Sequence, residues 1–72
     1  MRKQNQCMKI LKHLKTHKRG ITPLEALERY GIMRLGARIY DLRERGNNIV
    51  NVWEQYTDED GETVRYARYI LR

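Results

Sequence analysis

Four arginines, Arg34, Arg38, Arg43 and Arg45, crowd one short stretch of the chain. A guanidinium carries a planar fork of N–H donors that matches phosphate oxygens and the O6 and N7 edge of guanine. Arg34 opens the stretch and Arg38 follows one helical turn later. Between them Gly36 and Ala37 are small enough to let a helix approach a groove floor or a thymine methyl. Tyr40 can bond a phosphate through its hydroxyl, and Asp41 and Glu44 share its outward side. The same residues allow a plainer reading, in which Arg38 pairs with Asp41 three positions on and Tyr40 packs at the edge of a core. Upstream, Lys18 and Arg19 are candidate phosphate contacts. They precede Thr22, whose hydroxyl stands where a helix begins and free N–H groups favour an anion. Thr22 reads more strongly as a cap, and the two roles can coexist.

Other reactive types lack the company that chemistry needs. His13 and His17 lie four residues apart, but the segment has no Glu of a zinc protease motif and is crowded by lysines, so no metal site is expected. Cys7 falls on an apolar stripe and reads as a small core residue. The acids Asp58, Glu59, Asp60 and Glu62 lack the spacing of a calcium loop. No nucleophile–base set is legible, no cofactor is expected, and an enzyme is the least favoured class.

Charge sharpens the first reading. The 72 residues carry 15 Lys+Arg and 9 Asp+Glu, a net charge of +6. Residues 1–20 hold seven cations and no acid, residues 21–46 carry +1, and residues 47–72 carry −2. Such a front favours an acidic partner, most often nucleic acid, although a charge run can be only a solvated face. Lys9, Lys12 and Lys15 either extend that field or keep their helix soluble. The length fits a single domain over 1–72 with a modest core, since chains this short bury only about 60% of their unfolded surface. No apolar run approaches the ~18 residues of a membrane span. The basic start is not followed by an apolar signal segment, and one cysteine suits a reducing compartment, so a cytoplasmic location is expected.

The elements that must position these residues are three helices and a hairpin. Cys7, Ile10, Leu11 and Leu14 keep helical spacing and predict a first helix over about 4–17. Thr22-Pro23-Leu24-Glu25 is a capping box with proline at the first helical position, starting a second helix over about 23–30 that buries Leu24, Leu27 and Tyr30. Gly31 ends it. Leu35, Ile39 and Leu42 form the narrow stripe of a third helix, about 34–45. Met8 and Met33 read as gap fillers. β-branched and aromatic residues then predict strands on either side of a polar Asp-Gly turn, a hairpin over about 49–71. Ala67, Tyr69 and Leu71 are expected to face inward, with Ile49 and Trp53 opposite them, because Arg68 on the other face would be costly inside.

Two helices hinged on a tight glycine turn are a helix-turn-helix signal. With a helix before and a hairpin after, the chain from Cys7 to Leu71 resembles the winged helix-turn-helix family, an α+β fold. Thr22-Pro23-Leu24-Glu25-Ala26-Leu27, followed by Gly31 and by Arg34-Leu35-Gly36-Ala37-Arg38-Ile39, is similar to a small domain of this kind common in phages and prophages. The resemblance implies binding of double-stranded DNA, with the third helix in the major groove and a role in transcription regulation or DNA architecture. The expected contacts are Lys18, Arg19, Thr22, Arg34, Ala37, Arg38, Tyr40, Asp41 and Arg65. The hairpin departs from the family habit, because its tip is acidic and would be repelled by phosphate. That favours a second reading, a winged protein-interaction module working independently of DNA, with a protein partner at the acidic hairpin. Trp53, Tyr56, Tyr66 and Tyr69 could stack RNA bases, but sheet packing is the simpler account. Monomer and homodimer are both open.

Overall fold

The computed structural model describes residues 2–72. Three helices, α1 (Lys3–Thr16), α2 (Pro23–Tyr30) and α3 (Leu35–Glu44), precede two antiparallel strands, β1 (Ile49–Thr57) and β2 (Thr63–Leu71). This is the α+β winged arrangement. α1 turns Cys7, Ile10 and Leu14 inward, α3 turns Leu35, Ile39 and Leu42 inward, and Ile21, Ala26, Ile32 and Ile49 fill the space between them. Among the described residues, no helix is long and apolar enough to cross a membrane.

The hairpin is in simple register, with Ile49 opposite Leu71 and Thr57 opposite Thr63. A single residue outside the two strands extends its ladder, just before α2. Ile21 pairs with Tyr69, each N–H donating to the other's carbonyl at 2.9 Å. The residue before it must be glycine. Gly20 has φ of +76°, and a Cβ there would sit 1.9 Å from the Tyr69 carbonyl oxygen. No side chain fits that approach.

α2 starts as the sequence predicts. The Thr22 hydroxyl accepts from the Glu25 N–H at 3.2 Å, and the Glu25 carboxylate accepts from the Thr22 N–H at 3.1 Å. Its buried face differs from the prediction. Leu24 is 62% exposed and Leu27 45%, whereas Thr22 and Ala26 are buried and Tyr30 half-buried. The apolar periodicity misleads because the inward polar groups have partners. Glu25 receives the Arg68 guanidinium at 3.4 Å, and Tyr30 bonds His13 at 2.7 Å. Paired polar groups can occupy an inner face at little cost. The helix is thereby rotated, and its leucines face solvent. Met8 and Met33 fill no gap and are also exposed.

In the hairpin the inward parity holds but its depth does not. Ile49 is 4% exposed and Ala67 7%, while Trp53, on the same face, is 61% exposed. The helices cover the root of the hairpin and stop short of Trp53.

Candidate nucleic-acid interface

α3 has a core stripe and two flanks, and each flank is tied to a different neighbour. On one side Arg38 and Asp41 turn toward α1. The Arg38 Nε lies 3.2 Å from Asp41 Oδ2, and its Nη1 donates to Gln6 Oε1 at 3.3 Å. Lys3 approaches the other Asp41 oxygen at 3.4 Å, and the Cys7 thiol points to Asp41 at 3.9 Å. The side chains of Arg38 and Asp41 are only 14% and 17% exposed. The plainer of the two sequence readings therefore describes them: they clamp α3 to α1 and are drawn off the outer surface. On the other flank Arg43 donates from Nε to the Ile49 carbonyl at 2.8 Å and from Nη2 to the Asn51 side chain. It thereby fixes the end of α3 to β1.

What remains outward on α3 and at its N-cap is Arg34, Gly36, Tyr40 and Glu44, all exposed, with Ala37 half-buried between them. Tyr40 is 62% exposed and does not pack at a core edge. The hairpin face that carries Ala67 and Tyr69 continues outward as Trp53 and Arg65, whose guanidinium lies 5.8 Å from the Trp53 ring centre. This is the face that meets α3, since the nearest group to a Cβ built on Gly36 would be the Tyr69 hydroxyl, at 3.8 Å. Trp53 and Arg65 thus extend, beyond the helices, the hairpin face that Gly36 of α3 approaches through Tyr69. Sequence reasoning placed Trp53 inside. The signal that it lies outside was the length of the strand beyond the reach of the helices.

The other expected contacts fall elsewhere. Lys18 and Arg19 border clefts with Arg68, Ile70 and Arg72, beside the opposite face of the hairpin. Thr22 is 6% exposed, and its hydroxyl hydrogen is given to Glu25 Oε1 at 3.0 Å, so the cap occupies the hydroxyl fully. Arg68 is clamped as well, donating from Nε to Glu54 at 3.0 Å and from Nη1 to the Arg19 carbonyl at 3.2 Å.

The titratable groups in the interior serve the fold. His13 is 2% exposed, and its Nε2 lies 3.1 Å from the Gly20 carbonyl, which can only accept. Nε2 therefore carries the proton, and Nδ1 accepts from the Tyr30 hydroxyl. Burial lowers the His13 pKa, reinforced by the positive charges of His17 and Arg29 and opposed by the Gly20 carbonyl and Glu25. The two histidine rings stack face to face at 4.0 Å, with both His13 nitrogens engaged, a geometry unlike a chelate. Burial pushes the Glu25 carboxyl up, but the two Thr22 hydrogen bonds, with the Arg68 guanidinium and His13, outweigh it and hold it below the ordinary value.

No curated protein and no solved structure matches the chain. A family described as the winged helix-turn-helix domain matches residues 5–72. That span takes in α1 from Asn5 onward, the glycine-hinged pair α2 and α3 and the whole hairpin, and the chain belongs to the winged helix-turn-helix family.

Proposed function

We propose that this protein binds duplex DNA through α3, as a regulator or architectural factor of the kind found in phages and prophages, and that it performs no catalysis of its own. The carrying observation is the outward side of α3. Once Arg38 and Asp41 are drawn to α1 and Arg43 to β1, the residues left facing out begin with an arginine at the helix start and a small residue one turn in. That is where a recognition helix meets base edges. Arg34 reads bases, Ala37 allows close approach, Tyr40 bonds a phosphate, and Arg65 holds the backbone from the hairpin. Lys18 and Arg19 add to the positive field. Cys7 and His13 are packed in the core, where no substrate reaches them.

The test is selection of bound sequences from random duplex DNA, followed by affinity against salt. Log K should fall with log salt with a slope of about −3 or steeper, as several phosphates are neutralised. Arg34→Ala should reduce discrimination at one base position by about 10- to 100-fold. Arg65→Ala should weaken all sequences alike. Absence of binding at ~50 mM salt across the library would sink the proposal. So would identical behaviour of the two variants for the assignment of Arg34.

The protein-interaction reading is favoured by one observation. The tip residues Asp58, Glu59, Asp60 and Glu62 are all exposed. None of the four pairs with a Lys or Arg among the described residues.

A further inference from the structure

An antiparallel sheet with one face on a core ordinarily keeps its other face polar. This hairpin does not. Opposite the core-facing side, β1 carries Val50, Val52 and Tyr56, and β2 carries Val64, Tyr66 and Ile70. The two charged residues on that face, Glu54 and Arg68, pair with each other at 3.0 Å midway along it, and Glu25 of α2 lies 3.4 Å from the same guanidinium. Tyr56 is 55% exposed, Val64 38% and Val52 37%. Leu24 of α2 widens the patch, closing with Tyr56, Val64 and Tyr66 around an open cleft of about 410 Å³. An exposed surface with so many apolar groups around one paired charge marks an interaction site on a small protein.

The charges at its two ends identify the partner. At the tip stand Asp58, Glu59, Asp60 and Glu62. At the root, Lys15, Lys18 and Arg72 border a second, separate cleft beside Ile70. A basic peptide laid along the face would suit the tip and be repelled at the root. An acidic one would do the reverse. The complement must be apolar on either side of the paired Glu54 and Arg68 and carry the two end charges in the opposite order, which describes this same face on a second copy turned end for end.

We propose that two copies of this chain associate through the outer faces of their hairpins, antiparallel about a two-fold axis, with each acidic tip against the partner copy's basic root. Such a contact is closed and uses one patch twice. Nine-residue strands give a face about 30 Å long and two strands wide, so the interface is at the small end of the specific range and dissociates on dilution. The dimer goes beyond the DNA-binding reading and does not depend on it. On that reading, it would present two α3 helices to two half-sites.

The test is sedimentation equilibrium of the full chain without DNA. The mass should rise from one chain to two, with a midpoint on the order of 100 μM. A tip-reversed variant, Glu59→Lys with Asp60→Lys and Glu62→Lys, and a root-reversed variant, Lys15→Glu with Lys18→Glu, should each dimerise about tenfold or more weakly, because the two-fold axis applies every reversal twice. Val64→Asp should abolish the dimer. Mixing the tip-reversed and root-reversed chains should restore it, since their opposite ends again attract. That gain cannot come from misfolding. A wild-type chain that stays monomeric to ~1 mM, a dimer indifferent to all three variants, or a mixture that fails to associate would overturn the proposal.

Discussion

The helices and the hairpin solve the same problem, hiding apolar surface, to different extents. α1 and α3 lose their stripes completely: Ile10, Leu35, Ile39 and Leu42 are at most 2% exposed. The hairpin has apolar residues on both faces and covers only its root on one of them. Ile49 and Trp53 share a face, yet differ from 4% to 61% exposed. Alternation decides which way a strand residue points, and the reach of neighbouring elements decides whether anything meets it. The helical half holds the fold, whereas the distal hairpin offers surface for binding.

The sharpest way to break this contrast is at its joint. Gly20→Ala combines a left-handed backbone with a Cβ 1.9 Å from the Tyr69 carbonyl oxygen. The conformational penalty and the clash together should cost about 3–5 kcal/mol in urea unfolding. Gly61→Ala, in the hairpin turn, has φ of +83° and open space around it, so only about 1–2 kcal/mol is expected. Equal losses would mean that the joint is no tighter than the tip.

Next comes packing. Ile39→Ala should cost about 2–5 kcal/mol, because the buried site cannot collapse around the missing atoms. Trp53→Ala removes a larger side chain but should cost only about 1–2 kcal/mol, since 61% of its surface stays in water on folding. A Trp53 loss as large as that of Ile39 would show that the distal hairpin is structural after all.

The same contrast explains what was legible in the sequence. Stripes at helical spacing and the capping box marked the helices to within a residue, because those signals are local. The inner face of α2 was not legible. Leu24 and Leu27 look like core until Glu25 is seen to meet Arg68 and Tyr30 to meet His13, partners 43 and 17 residues away. Arg38 and Asp41 pose the same difficulty on α3. Their spacing fits a groove-facing pair as well as a clamp, and the decision lies with Gln6 and Lys3 on another helix. Tyr40 was likewise open between a phosphate contact and a core edge, and its 62% exposure follows from where its neighbours stop.

A smaller effect tests the local signal itself. Thr22→Ala removes the hydroxyl that accepts the Glu25 N–H and leaves Glu25 with fewer donors. The expected loss is about 1 kcal/mol, measured by thermal unfolding. It should exceed that of Thr63→Ala at the start of β2, an exposed residue. The reverse order would mean that the hairpin register depends on its first pair more than α2 depends on its cap.

The smallest expected effect is that of pH, and it asks whether the two halves unfold as one. His13 has a folded pKa below its ordinary 6.5 because it is buried, with His17 and Arg29 adding positive charge. The unfolded chain therefore takes up this proton at a higher pH than the folded chain does. Stability is present above about 6.5 and is lost as pH falls from there toward the folded pKa. His13→Gln should be less stable throughout but should show a shallower decline between pH 7.5 and 5. An unchanged slope would remove His13 as the cause. The bond from Nε2 to the Gly20 carbonyl places this histidine one residue from Ile21, which pairs with the hairpin. If the joint couples the halves, helix circular dichroism and Trp53 fluorescence should lose their native signals at the same urea concentration at every pH. A Trp53 transition that ignores pH while the helical one moves would show that the hairpin is held independently of the helices.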